Sequence, residues 1–156
     1  MMRRPLLVAA ALTAALALSA CSTSSAPPST TVAVRSVTVT AAVRHALVVA
    51  GASSHSLPTS DFVGLAAGTT YYAFDATTDT YYAAARLDPS PHSLPAQVAT
   101  QDDGAYDLFT RAEGGAWTVY NDGLGAAHDS VCPLALPAKV LAVWGWAPGS
   151  CYPPQS

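Results

Sequence analysis

From Thr69 to Tyr120 the chain repeats one pattern: a short run of aromatic or β-branched residues, a cluster of turn formers, then another run. No other feature restricts the fold as strongly, because such runs satisfy their backbone hydrogen bonds by pairing with one another. Five strands can be drawn: "TTYYAFDA" over 69–76, "TYYAAARL" over 80–87, "QVATQ" over 97–101, "AYDLFTR" over 105–111 and "AWTVY" over 116–120. The connections are "TTD", "DPSPHSLPA", "DDG" and "AEGG". Asp-Gly and Gly-Gly are hairpin signals, so the last three strands are the most firmly tied into an antiparallel meander.

Side chains alternate across a strand, which sorts these residues into two faces. Tyr106, Leu108 and Thr110 point one way and Asp107, Phe109 and Arg111 the other; Trp117 and Val119 oppose Thr118 and Tyr120. Neither face is wholly polar. One face is therefore expected to pack on a helix, and the other to be partly covered by the C-terminal segment.

Two helices fit these roles. Val39, Val43, Leu47 and Ala50 repeat at helical spacing, with Thr38 or Thr40 available as N-cap, and predict a helix over 38–54; Val37 and Val39 could instead open a strand. Near the C-terminus, "LPAKVLAVWGW" places Pro137 at a helix N1 position and Gly145 just past its end, with Val140, Leu141 and Trp144 on one stripe. The expected fold class is α+β: an N-terminal helix, a roughly five-stranded antiparallel meander, and a short C-terminal helix clasped by one disulfide.

The first residues belong to a different kind of segment. Arg3 and Arg4 precede the apolar run "PLLVAAALTAALALSA", which ends on small residues and is shorter than the roughly 20 residues a membrane-spanning helix needs. Residues 1–20 read as an export signal. The closing "LSAC" resembles the lipobox of bacterial lipoproteins. That resemblance covers the signal alone and implies that Cys21 is lipidated after cleavage and becomes the first residue of the mature chain. The Arg3-Arg4 pair lacks the polar residue that precedes it in a twin-arginine signal. Residues 21–36, beginning "CSTSSAPPSTT", lack charge and large apolar groups until Val32 and read as a tether. A coil of that length spans about 20 Å, and stretched toward polyproline geometry about 45 Å. Residues 37–156 then form a single domain, held at the extracytoplasmic face of a cell membrane through the lipid on Cys21.

With the signal removed, five basic residues remain against ten acidic ones. No basic stripe is left for nucleic acid. Charged residues make up only 11% of the chain, so the surface is polar but sparsely charged. In an exported chain Cys132 and Cys151 are expected to oxidise to one disulfide, since neither has the CxxC spacing of a metal or redox site. Phrases such as "YYAFDATTDTYYAAARL", "QDDGAYDLFTRAEGGAWTVY" and "VLAVWGW" resemble small exported actinobacterial proteins of unassigned function. The resemblance covers about 37–151, implies export and an α+β domain, and brings no catalytic residues with it.

The candidate chemistry divides between two classes. His55 in "SSHS" and His128 in "AHDS" lie beside hydroxyl or carboxylate groups, but no GxSxG surrounds any serine. Asp75, Asp79 and the pair Asp102-Asp103 flank turns, where aspartate caps the backbone, and no metal-ligand series or cofactor motif accompanies them. The aromatic surplus is more suggestive. Tyr72, Tyr82, Trp117, Tyr120, Trp144 and Trp146 are the candidate ligand-binding residues, able to stack on a sugar or anchor a protein partner. Cross-strand pairing of tyrosines explains part of the same surplus. The expected function is thus a non-catalytic binding module for a protein or cell-wall ligand. The alternative is a small envelope hydrolase or metal-dependent enzyme using His128 or His55.

Overall fold

The structure, a computed structural model, describes residues 33–101, 106–120, 132 and 134–154. The signal, Cys21 and the tether up to Val32 lie outside the described residues, as do Asp102, Asp103 and His128. Residues 31–156 make one compact unit.

Its elements run in the order β1 (Val34–Ser36), α1 (Ala41–Ser54), a 3-10 turn (Thr59–Asp61), β2 (Phe62–Leu65), β3 (Tyr71–Asp75), β4 (Thr80–Pro89), α2 (Leu94–Ala99), β5 (Tyr106–Ala112), β6 (Thr118–Tyr120) and α3 (Ala138–Trp144). The fold is α+β, built on an antiparallel sheet of six strands among the described residues, in the order β1-β3-β4-β5-β6 with β2 also on β4. β2 and β3 are two stretches of one interrupted strand. Both lie on the same side of the ten-residue β4, where Leu65 faces Leu87 and Tyr71 faces Ala84. The break between them is stitched to Arg86, whose carbonyl accepts from Ala66 N–H at 2.9 Å and whose N–H donates to Thr69 Oγ1 at 3.2 Å.

The first hairpin closes as the "TTD" turn predicts. Asp75 Oδ1 accepts from the backbone N–H of Thr77 at 2.8 Å and from its hydroxyl at 2.6 Å, so this carboxylate serves the turn. The "AEGG" hairpin joins β5 to β6 with Gly114 at φ 73°, a left-handed position that favours glycine.

Three departures from expectation have local causes. Residues 97–101 are not a strand: Leu94–Ala99 is helical, and β4 pairs directly with β5. Ser93 Oγ accepts from Ala96 N–H at 3.3 Å and Pro95 occupies the first turn, so an N-cap and a preset φ outweigh the β-branched Val98 and Thr100. Phe62–Leu65, outside the five expected strands, pairs with the end of β4. Val34–Ser36, expected within the tether, forms the edge strand beside β3. The described helices number three, with α2 inserted where the meander was expected to continue.

A helix forms in the predicted region, but α1 begins at Ala41 rather than at 38, and of the expected stripe Val39 lies before it and only Leu47 is fully buried. Thr40 Oγ1 accepts from Val43 N–H at 3.2 Å, and Leu47, Val48, Gly51 and Ala52 supply the buried stripe. It covers one sheet face, with Leu47 over Tyr72, Ala83, Ala85 and Phe109. α3 covers the other, where Val140, Leu141 and Trp144 pack with Val34, Ala73, Ala84, Tyr106 and Leu108. Ala83, Ala84 and Ala85 at the centre of β4 are fully buried, and their small side chains let both helices approach the sheet while larger neighbours fill the gaps. Pro137 is the residue before α3 rather than its first, and Gly145 ends it at φ 74°. Cys132 and Cys151 are disulfide-bonded with Cα atoms 5.5 Å apart, clasping the segments on either side of α3.

Candidate functional site

Four strands place one residue each in a single row on the α1 face. Arg35 of β1 is in register with Phe74 of β3, Phe74 with Tyr81 of β4, and Tyr81 with Arg111 of β5. Residues in register on adjacent strands are close neighbours, so the row brings its side chains into contact. The Arg35 guanidinium lies 4.8 Å from the Phe74 ring centre, and the Phe74 and Tyr81 rings are 4.6 Å apart. Arg111 is sandwiched, its Cζ 4.7 Å from the ring of Tyr81 and 4.7 Å from that of Trp117. Cation–π contacts of this geometry contribute about 0.5 to 2 kcal/mol each, more as water is excluded.

Tyr72 completes the cluster. Its ring stacks on Tyr81 at 5.5 Å and tilts against Trp117 at 6.1 Å, and its hydroxyl accepts from Arg111 Nη2 at 3.3 Å. Arg111 Nε and Trp117 Nε1 are both buried without an acceptor. No carboxylate joins Arg111 among the described residues. A partly buried cation is thus held by three aromatic side chains with no countercharge among the described residues, an arrangement suited to accepting an anionic group.

Of the six aromatic candidates, the structure brings Tyr72 and Trp117 together here and sends the other four to the opposite face. Tyr82 and Tyr120 are partly buried against the α3 cluster. Trp144 and Trp146 are core residues, 8% and 4% exposed, packed on Tyr71 at 5.9 and 5.1 Å. Tyr72 is also buried, at 4%. These three are therefore not outward-facing platforms, because a sheet apolar on both sides needs both sides covered and α3 brings its own tryptophans inward. Arg111 and Tyr81 were not among the candidates. The signal for Arg111 was its place on the same strand face as Phe109, an apolar neighbourhood for a charge.

Other polar groups have settled roles. Tyr106 Oη donates to the Thr69 carbonyl at 3.0 Å, and burial raises the phenol's pKa. The Thr77 hydroxyl, then the Thr77 backbone, hold Asp75 below its ordinary pKa. His55 stands beside Phe62 with ring centres 6.4 Å apart, at the edge of an open apolar hollow of about 480 Å³ between the end of α1 and α2. Leu57, Leu94, Pro95 and Val98 line that hollow, with Leu94 and Val98 largely exposed.

The molecule so described is an antiparallel sheet with a helix on each face and a cation–aromatic row on one of them. No family model, curated protein or solved structure matches the chain.

Proposed function

We propose that the protein is a lipid-anchored binding module on the extracytoplasmic face of a cell membrane. It takes a protein or cell-envelope ligand by an anionic group presented to Arg111. The observation that supports this reading is the Arg111 guanidinium, fixed between Tyr81 and Trp117, bonded to Tyr72, and lacking a carboxylate partner among the described residues. The aromatic walls hold the planar fork in one orientation, so little side-chain entropy is lost when an oxyanion meets it. The "LSAC" signal and its tether supply the location, since two or more acyl chains hold a protein at a membrane almost permanently. A carboxylate or phosphate on envelope material would be met within tether reach.

The test is pull-down of isolated cell-envelope material by the soluble domain, comparing wild type with Arg111→Gln and Arg111→Lys. Loss of one charge-assisted contact at a held guanidinium lowers affinity about tenfold or more in Arg111→Gln. Arg111→Lys recovers only part of it, because an ammonium lacks the fork. Equal binding by folded wild type and both variants would remove the proposal.

A further inference from the structure

Asp107 of β5 is fully buried, and neither carboxyl oxygen has a hydrogen-bond partner. It faces α1 rather than water. A Cβ placed on Gly51 would lie 2.9 Å from Asp107 Oδ2, so the helix backbone rests directly on the carboxyl group. The Gly51 carbonyl is already occupied, accepting from Ser54 Oγ at 2.7 Å and from His55 N–H at 3.2 Å. Leu47 and Leu87 enclose the same interface, and Ala85 is the register partner on β4. A charge in such a site has no solvent, and no counter-ion among the described residues, to stabilise it.

Among the described residues, no titratable group answers it from the surrounding elements. On α1, Arg44 and His45 are exposed and lie more than a turn before Gly51, and His55, a turn beyond, sits beside Phe62. On β4, Arg86 is exposed on the opposite face, and Tyr81 belongs to the Arg111 cluster. On β5 itself, Arg111 shares the face but is engaged by Tyr72, Tyr81 and Trp117. Residues 102–105 and 121–131 lie outside the described residues.

We infer that Asp107 is an acid-set latch, which seats α1 on the sheet while its carboxyl is neutral and lets the helix lift as the surroundings pass from acidic to neutral. Burial alone pushes the carboxyl up to about 7, while in a lifted state it would return to the ordinary aspartate range. Between those two values the seated form holds a proton that the lifted form does not, so seating weakens with rising pH. Above about 7 both forms are ionised and the dependence ends.

The test is amide hydrogen exchange on the full chain, corrected for intrinsic rates, followed from Leu47 to Ala52 with Ala83 to Ala85 of β4 as reference. Wild-type protection in α1 is expected to fall about a hundredfold between about pH 4.5 and about pH 6.5, and to level off above neutrality. Asp107→Asn should show a flat profile. A flat wild-type profile, an equal fall in the variant, or α1 protection no lower than that of β4 across the range would overturn the latch. The carbon-13 carboxyl shift of wild-type Asp107 tests it independently: a midpoint near neutrality supports the latch, and one in the ordinary aspartate range overturns it.

Discussion

Gly51 shows how a single residue sets helix–sheet spacing in this protein. Glycine inside a helix costs about 1 kcal/mol relative to alanine, so intrinsic propensity predicts that Gly51→Ala stabilises. The contacts predict the opposite. The new methyl carbon would meet Asp107 Oδ2 and Leu87 Cδ1 at 2.9 Å, both held inside the core. We expect Gly51→Ala to destabilise by about 1 to 3 kcal/mol, read as a lowered urea midpoint at unchanged slope. Asp107 gives the same interface a pH dependence. Its protonated form is favoured by folding, so stability is highest below the unfolded pKa and falls as pH rises toward the folded value of about 7. Full expression of that shift amounts to about 4 kcal/mol, and Asp107→Asn should remove it from urea melts across the same range. At this scale the sequence was partly legible. Alternation placed Asp107, Phe109 and Arg111 on one face, but it could not show that one charge would meet a helix backbone and the other an aromatic sandwich. Those neighbours come from α1 and from strands distant in sequence.

Among the elements, those with their own punctuation were readable in advance and those without it were not. α1 carries a side-chain N-cap and α3 a terminating glycine, and the 71–89 and 106–120 hairpins carry turn residues with clear alternation on either side. β1 and β2 have three and four residues, too few to show a period, and β2 shifts register between Phe62 and Gly64. α2 forms where a strand was expected because Ser93 and Pro95 outweigh the β-branched Val98 and Thr100. Ser93→Ala should therefore cost about 1 kcal/mol and loosen the 94–99 segment, detectable as faster exchange at the Ala96 amide that Ser93 Oγ now holds. α3 depends on its clasp instead, since Pro137 offers no side-chain cap and the helix has seven residues. Replacing Cys132 and Cys151 by serine should lower stability by about 3 kcal/mol in the chain-entropy account. The change should also shift tryptophan emission to the red as Trp144 and Trp146 meet water.

For the molecule as a whole, the sequence separates a domain from the segment that would carry it to a membrane. Cys21→Ala tests that division. The wild-type protein from its native membrane is expected to enter the detergent phase with a mass beginning at Cys21 plus acyl chains, and the variant to remain aqueous. An unmodified wild-type product would remove the anchor from the proposed function while leaving the Arg111 site to be judged on its own binding. The covering of both sheet faces has a further consequence, which concerns time rather than energy. Val34, near the start of the domain, shares a core cluster with Val140 and Cys151 near its end. α3 and its disulfide close over β1 and β3, strands made long before it. The α1 face can assemble once Tyr120 has emerged, but the α3 face waits for the last residues of the chain. During synthesis Tyr71, Ala73 and Leu108 therefore spend an interval as an open apolar surface, which ends when Val140, Leu141 and Trp144 dock on it.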